Sequence, residues 1–393
     1  MKIHTVKDKK DAKKFLDTAR ELYKNDDVWV CPLDDEIEAV FDPEQNVFFN
    51  HGDAIRWYMT DDEGNLTGRI AAFINEKKAY TFDQPTGGMG FFECINDEQA
   101  AFKLFDQARN WLEERGMEAM DGPINFGEND KFWGLLVEGF THPGYGMQYN
   151  HPYYKTFFEN YGFKPYFNML TNHLSMDVGL KPRFLKIAER VVSNKKYQFE
   201  HFDIKNKDRY INALLDVYNT AWQSHENFQP MTFEEVDEAF KIAKPIIDQE
   251  LVWFVFKDGD PAAFLVMYPD VNMILKYFNG KMNLWNKIRF WYMKKRHYMT
   301  RARLVIMGVK PKYQGLGLES GIFYNLNEVM KKRPWIRELE LSWVGDFNPK
   351  MLSVHKAVGG VPAKKHITYR KLFNKDEQQR PAIISEKEQK ART

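Results

Sequence analysis

Residues 304–320, with the sequence LVIMGVKPKYQGLGLES, contain the pattern that decides the fold. An apolar run to Val309 is typical of a strand, Pro311 ends it, and residues 314–317 (QGLG) turn directly into a helix. Glycines let a backbone approach a bound group closely. The first amides of a helix lack partners within it and, together with the helix dipole, attract anions. This stretch therefore predicts a phosphate-binding loop.

The loop resembles the hallmark of the GNAT superfamily of acyl-CoA N-acyltransferases, a Gln/Arg-x-x-Gly-x-Gly/Ala turn between a strand and a helix. Gln314 and Gly317 match that turn, and Val309 and Pro311 match the residues before it. In that superfamily the loop holds the coenzyme A pyrophosphate, and the end of the strand pairs with the pantetheine arm. The resemblance implies an acyl-CoA site that includes Met307, Gly308, Val309, Lys312, Tyr313, Gln314, Gly315, Leu316, Gly317 and Leu318.

A second segment, from Asn348 to Gly359, resembles another GNAT motif, in which an Asn opens a helix. We therefore add Asn348 to the expected acyl-CoA site. Residues 151–163 (HPYYKTFFENYGF) repeat the layout of residues 348–360 (NPKMLSVHKAVGG), at an offset of 348 − 151 = 197 residues. Pro follows the first residue in both, at a position where a helix tolerates it. This repetition indicates an ancient duplication.

The same order of predicted elements recurs in both halves of the chain. We expect an α/β (α+β) protein with two acyltransferase-like domains, each a mixed, mostly antiparallel twisted sheet flanked by helices. The predicted boundaries are 1–178 for a degenerate N-terminal copy, 179–373 for the copy with the loop, and 374–393 for a disordered tail. The N-terminal copy has no phosphate loop, because its corresponding helix begins with the acidic sequence NDE at 96–98.

Three residues of the C-terminal half bear on catalysis. Glu340 lies on a predicted strand and is a candidate base for an ammonium substrate, with a solvated or salt-bridged strand face as the alternative. His355 stands where many GNAT enzymes have a tyrosine acid, and it is either a proton donor or a plain surface residue of its helix. Glu319 replaces the last Gly/Ala of the loop, so either its carboxylate points away from the pyrophosphate or acyl-CoA binding is weak.

Composition limits the class of protein. The chain has 393 residues, 44% of them apolar, and a net charge of +1, which suits two folded domains and argues against a general nucleic-acid binder. Cys31 and Cys94 are too few and too far apart for a disulfide framework or a zinc site. We expect a soluble cytoplasmic protein with no metal and no stable membrane insertion.

Two aromatic segments allow alternatives. Residues 140–163 are rich in Tyr and Phe, and either pack between the domains or form a substrate wall. Lys281–His297 (KMNLWNKIRFWYMKKRH) is basic and aromatic. It could lie on a membrane surface or cover an acyl chain, but such a segment is more often an ordinary helix with one buried side and a solvated basic face.

The resemblance implies an N-acyltransferase that uses acetyl-CoA or another acyl-CoA as a substrate and transfers its acyl group to a small-molecule amine. The amine would attack the thioester directly, with no covalent enzyme intermediate. Two alternatives stay open: a Fem-type aminoacyl transferase, and a non-catalytic ligand-binding protein that keeps the fold. The sequence leaves the acceptor and the oligomeric state undefined.

Overall fold

The computed structural model describes residues 1–223 and 230–374, and it divides into two units. Of the described residues, unit 1 contains 1–169, 274–293 and 364–374, whereas unit 2 contains 170–223, 230–273 and 294–363. Each unit has its own hydrophobic core.

The strands are β1 (Lys2–Thr5), β2 (Gly52–Thr60), β3 (Leu66–Asn75), β4 (Thr86–Cys94), β5 (Ala119–Gly122), β6 (Leu135–Glu138), β7 (Lys164–Ser175), β8 (Tyr197–His201), β9 (Val252–Lys257), β10 (Asp260–Pro269), β11 (Arg301–Val309), β12 (Glu338–Gly345) and β13 (Val361–Leu372). The helices are α1 (Lys9–Leu22), α2 (Asp34–Val40), α3 (Glu76–Ala79), α4 (Glu98–Glu113), α5 (Tyr154–Tyr161), α6 (Pro182–Val192), α7 (Lys207–Trp222), α8 (Phe233–Ala243), α9 (Asn272–Leu275), α10 (Leu284–Lys295), α11 (Leu318–Lys331) and α12 (Pro349–Val358).

The sheet of unit 1 has the strand order β1-β2-β3-β4-β5-β13, and β6 also pairs with β13. These pairs are antiparallel except for β4 with β5, which run parallel because α4 carries the chain back between them. The helix buries residues at helical spacing against the sheet, namely Ala101, Leu104, Phe105, Ala108 and Leu112.

Unit 2 repeats this plan with the strand order β7-β12-β11-β10-β9-β8. Its parallel pair is β11 with β12, and α11 is the connection between them, whereas β8 to β11 pair antiparallel. α11 buries the face that its sequence predicts: Leu318, Ile322, Leu326, Val329 and Met330. α7 packs on the other face of the sheet. The expected mixed, mostly antiparallel α/β architecture is confirmed.

The units divide the chain differently from the predicted boundary at 178/179. The end of β7 belongs to unit 2, where β7 pairs with β12, and most of β13 belongs to unit 1, where it pairs with β5. Residues 274–293 also belong to unit 1, in which Asp34 N donates to Gly280 O at 2.8 Å. Pairing between segments that are far apart in the chain leaves no local pattern in the sequence, so the sequence could not predict these unit assignments. Residues 375–393 of the predicted tail lie outside the described residues.

A buried ion pair ties the C-terminal strand to unit 1. Arg370 on β13 donates from Nε and Nη2 to the two carboxylate oxygens of Asp121 on β5, at 2.6 and 2.7 Å. Its guanidinium also lies 3.8 Å from the ring centroid of Tyr166. Two parallel hydrogen bonds make this a directional contact, so it fixes the register of β13 as well as its position.

His355 is part of the core of unit 2. Its ring, on α12, is 1% exposed, and Nδ1 lies 3.1 Å from Asn172 Nδ2. Burial lowers the pKa of His355 to about 4. The ring is therefore neutral at pH 7 and out of contact with solvent, so the surface position that the sequence allowed is wrong, and the proton-donor role stays a prediction.

We expect protonation of His355 to destabilise the protein as the pH falls. In the unfolded chain this residue binds a proton below about pH 6.5, whereas in the folded chain it does so only near pH 4. Stability is thus complete above pH 6.5 and declines toward pH 4, by roughly 3 kcal/mol at most. Denaturant unfolding at pH 7 and pH 5 should show a smaller difference for His355→Gln than for the wild type. An equal loss of stability between pH 7 and pH 5 in the two proteins would contradict the lowered pKa of His355.

Candidate active site

β11 carries a bulge, and it separates from β12 at the same point. Val266 of β10 lies opposite Ile306 and Met267 lies opposite Leu304, so Val305 is an extra residue. The parallel pairing with β12 ends with Leu304 opposite Leu341. β11 then continues to Val309 outside that register. Beyond Leu304, β11 and β12 are no longer paired. The backbone of β11 can therefore pair with an extended ligand on that side.

An ion-pair cluster holds the chain that follows β11. Asp260 accepts from Lys310 Nζ at 3.0 Å, from Lys312 Nζ at 2.8 Å and from Tyr313 Oη at 2.7 Å. Burial opposes ionisation of Asp260, but these three donors hold its pKa well below the usual range. Lys310 also pairs with Asp216 at 2.6 Å. The two lysines therefore neutralise carboxylates and position the loop.

The turn itself matches the predicted phosphate loop. Gly315 and Gly317 have φ of +75° and +77°, values that favour glycine, and Gly317 is the N-cap of α11. No side chain among residues 1–223 and 230–374 caps this helix by a hydrogen bond. The first amides of α11 are thus open to an anion. A Cβ added to Gly317 would lie 3.2 Å from Val191 Cγ2 of α6. The turn therefore packs closely against α6.

Glu319 in the first turn of α11 is half-buried, and burial raises its pKa. Its own backbone N–H opposes that shift by donating to the carboxylate. The carboxylate is therefore partly shielded from solvent in the first turn of α11, the turn whose amides would bind an anion. We predict weak binding, the second of the two alternatives raised by the sequence.

The other predicted acyl-CoA residues have distinct positions around the loop. Met307 and Val309 point into the core on the α11 side of the sheet. Gly308 lies against α7, since a Cβ there would be 2.6 Å from Trp222. The Asn348 side chain caps α12 by accepting from Met351 N at 3.1 Å. Leu316 is exposed, whereas Leu318 is fully buried below the turn.

Gln314 connects the loop to two other elements. Its Nε2 donates to Val309 O at 3.4 Å, and its Oε1 accepts from Lys350 Nζ at 3.3 Å. Lys350, in the first turn of α12, therefore brings a positive charge to the loop. Sequence reasoning missed Lys350, because only the packing of α12 beside the loop gives it a role.

A polar cluster occupies the neighbouring strand ends, on the face opposite α11. Glu340 is 0% exposed, 3.4 Å from Arg303 Nε and 3.9 Å from Arg301 Nη1. Arg301 pairs with Asp270, and these carboxylates raise the pKa of Arg301 even though burial opposes this. Glu340 is thus a buried, ion-paired carboxylate that does not reach solvent.

His173 on β7 links this cluster to solvent. Its Nε2 lies 3.3 Å from Glu340 Oε2 and its Nδ1 lies 3.8 Å from Glu338 Oε2, and the side chain is 21% exposed. In the tautomer with hydrogen on Nε2, this nitrogen donates to Glu340 and Nδ1 is the unprotonated nitrogen on the Glu338 side. Sequence reasoning missed His173, since its carboxylate partners are 165 and 167 residues away (338 − 173 and 340 − 173).

The corresponding opening in unit 1 is filled by its own chain. β4 pairs with β5 only as far as Gly88 opposite Asp121, after which Ile124 N donates to Met89 O at 2.8 Å. A Cβ on Gly90 would lie 1.9 Å from Ile124 O. This close approach leaves no space for a second extended chain there.

The helix that follows β4 is also capped, unlike α11. Asp97 accepts from Gln99 N and Ala100 N at 2.9 and 3.1 Å, so a carboxylate already occupies the amide end of α4. The hydroxyl of Tyr154 accepts from Cys94 N at the end of β4, at 2.8 Å. Both features agree with the expected loss of the phosphate site from the N-terminal copy.

No group of His, Cys, Asp and Glu side chains in the described part of the chain is arranged to hold a metal ion. None of the described helices has the length and apolar character needed to cross a bilayer.

The chain was compared with known proteins, and no family model matches it. Protein YghO of Escherichia coli (strain K12) is 27% identical over 379 residues, which cover 94% of this chain and 95% of that protein. The bacterial ceramide synthase of Caulobacter vibrioides (strain NA1000 / CB15N) is 29% identical over 381 residues, covering 94% of this chain and 96% of that protein.

A similar solved structure is a tandem GNAT protein from the clavulanic acid biosynthesis pathway. Its TM-score is 0.58 and its sequence identity 12%, and the match covers 96% of this chain and 99% of that one. The resemblance deduced from residues 304–320 is thereby confirmed at the level of the fold. The chain has the tandem GNAT fold, with two GNAT-like units in one polypeptide.

Proposed function

We propose that the chain is an acyl-CoA-dependent N-acyltransferase whose donor site lies in unit 2. One observation carries this proposal: the backbone of β11, released from β12 after Leu304, leads directly to the uncapped amides of α11. The opening suits the extended pantetheine arm, and the helix end suits the pyrophosphate. The filled opening of unit 1 supports a single donor site in the described chain.

The reaction needs a neutral amine, because an ammonium nitrogen has no lone pair to attack a thioester. We propose that Glu338 attracts the ammonium group and that His173 Nδ1 removes one proton from it, while Glu340 orients the ring. This assignment replaces Glu340 as the base, since Glu340 is fully buried whereas the His173 and Glu338 side chains are 21% and 39% exposed. Glu338 also pairs with Arg301 Nη1 at 3.5 Å. His173 is near the amine in this scheme because β7 and β12 are neighbours in the sheet.

The neutral nitrogen then attacks the thioester carbon, and the C–N bond forms as the C–S bond breaks. The second proton leaves the nitrogen for the coenzyme A thiolate, which departs as a thiol. Backbone N–H groups of β11 beyond the bulge would polarise the carbonyl, as oxyanion donors do in acyl transfer. Positioning of the two substrates supplies a further part of the rate enhancement.

We propose a long-chain amine as the acceptor and a long-chain acyl-CoA as the donor, in place of the acetyl-CoA expected by default. The relative from Caulobacter is named a ceramide synthase, and a ceramide is a long-chain base acylated on nitrogen. The face of the sheet beside Gly308 is aromatic, with Tyr218 and Trp222 stacked at 4.7 Å and Trp222 next to Phe264. We propose that the half-buried rings of Tyr218 and Trp222, at the end of α7, contact the acyl chain.

We expect Glu319→Gln to tighten coenzyme A binding. A carboxylate about 6 Å from a pyrophosphate charge costs about 3 kcal/mol before screening, which water and salt reduce to roughly 1 kcal/mol, or about fivefold in Kd. Binding to the wild type should also tighten as the pH falls and Glu319 is protonated, and Glu319→Gln should lose that dependence. Titration calorimetry at two pH values measures both effects.

Glu328→Gln is the matched control, since Glu328 lies on the same helix and pairs with Lys331 at its far end. Its binding should equal that of the wild type. If wild type and Glu319→Gln both fail to bind coenzyme A at millimolar concentration, the non-catalytic alternative replaces the transferase.

Transfer itself should depend on His173. With a long-chain acyl-CoA and a long-chain amine, we expect release of the coenzyme A thiol, and His173→Gln should lower kcat by about 10²-fold or more. Coenzyme A affinity should stay unchanged, and the variant should regain rate at high pH, where the amine is already neutral. A purely structural role for His173 would not produce that recovery.

His201→Gln provides the control, because His201 also lies in unit 2 but its ring contacts Trp253 at 5.8 Å, away from the polar cluster. It should retain full activity. Undiminished transfer by His173→Gln would refute the role of His173 as the base. Efficient thiol release with acetyl-CoA as the donor, and none with a long-chain acyl-CoA, would refute the long-chain assignment.

A further inference from the structure

α10 exposes large apolar side chains to an unusual extent. Five residues of this twelve-residue helix are more than half exposed: Leu284 at 71%, Trp285 at 75%, Ile288 at 52%, Trp291 at 55% and Tyr292 at 59%. Isolated exposed apolar residues are ordinary on protein surfaces, but a contiguous group of this size marks an interaction site.

These five residues share one face of the helix. Counted from Leu284, they occupy positions i, i+1, i+4, i+7 and i+8, which form a single stripe at helical spacing. The opposite side is buried through Phe290 and Met293. Arg289 Cζ lies 5.4 Å from the ring centroid of Phe278, and Asn286 Nδ2 donates to Lys281 O at 2.8 Å. The helix is therefore anchored on one side and presents its aromatic stripe on the other.

Cations border the stripe. At 100° per residue, Lys287 lies along one edge of it and Arg289 along the other, while Lys294, on the Lys287 side, donates from Nζ to Pro245 O. Lys295 lies within the stripe at its C-terminal end. Residues 281–297 contain no Asp or Glu, so no acidic group within this segment offsets these charges. The solvated face that the sequence allowed is thus aromatic as well as basic.

We propose that α10 docks this protein on the surface of an anionic lipid bilayer, with the helix axis parallel to the membrane plane. Trp and Tyr favour the interface between headgroups and acyl chains, and long Lys and Arg side chains beside an apolar stripe reach back to anionic headgroups. A second copy of α10 would bring like charges together, which disfavours self-association through this face. The absence of a membrane-crossing helix among the described ones is consistent with peripheral docking.

The docking surface is argued independently of the proposed reaction. If both hold, the helix would bring the protein to the bilayer in which long-chain substrates are dissolved. The two can fail separately, because vesicle binding needs no turnover and thiol release can be measured with substrates in detergent.

Co-sedimentation of the full chain with lipid vesicles tests the proposal. The wild type should sediment with vesicles of phosphatidylcholine mixed with phosphatidylglycerol, more weakly with phosphatidylcholine alone, and less at high salt. Ile288→Glu should lower the partition coefficient about tenfold or more, since one buried apolar side chain is lost. Lys287→Gln combined with Lys295→Gln should lower binding to the anionic vesicles alone, by roughly fivefold for each cation removed.

Val47→Glu is the matched control, because Val47 is also an exposed apolar residue, at 63%, on a 3₁₀ turn of unit 1. It should bind vesicles as the wild type does. Thermal unfolding checks that each variant is folded. The proposal is overturned if the wild type sediments with neither vesicle, which would favour a protein partner, or if Val47→Glu weakens binding as much as Ile288→Glu does.

Discussion

The separation of β11 from β12 after Leu304 is the constraint on which the rest of unit 2 depends. A parallel pair inside an antiparallel sheet needs a crossover, and α11 supplies it. The bulge at Val305 lets β11 diverge while it stays paired with β10. The same chain that leaves β11 then enters the glycine turn, so the strand opening and the helix amides form one continuous surface for a ligand.

The two units show how similar plans reach different outcomes. Each has a parallel pair joined by a helix, but in unit 1 the chain after β5 fills the opening and Asp97 caps the helix. In unit 2, no side chain of the described residues caps α11 by a hydrogen bond. The first turn of that helix carries Glu319, whose pKa is raised by burial. A negative charge on Glu319 would lower the affinity for the donor and would leave the backbone of the donor site unchanged.

The sequence predicted the fold and the loop because both depend on local patterns. The apolar strand, Pro311 and the two glycines fix strand, turn and helix within one short stretch, and the apolar spacing of α11 follows from it. The polar cluster could not be predicted in this way. Glu340 and His173 meet only through the pairing of β7 with β12, and the neutral state of His355 follows from its burial. The unit boundary was missed for the same reason, since β13 pairs far from its place in the chain.

The most direct test of the donor site is amide hydrogen exchange with and without coenzyme A. Amides of residues 305–309 and of the first turn of α11 should exchange more slowly with ligand, while those of β4 and the start of α4 in unit 1 should not change. Protection in unit 1 instead, or no protection at residues 315–319, would contradict a donor site at the opening between β11 and β12.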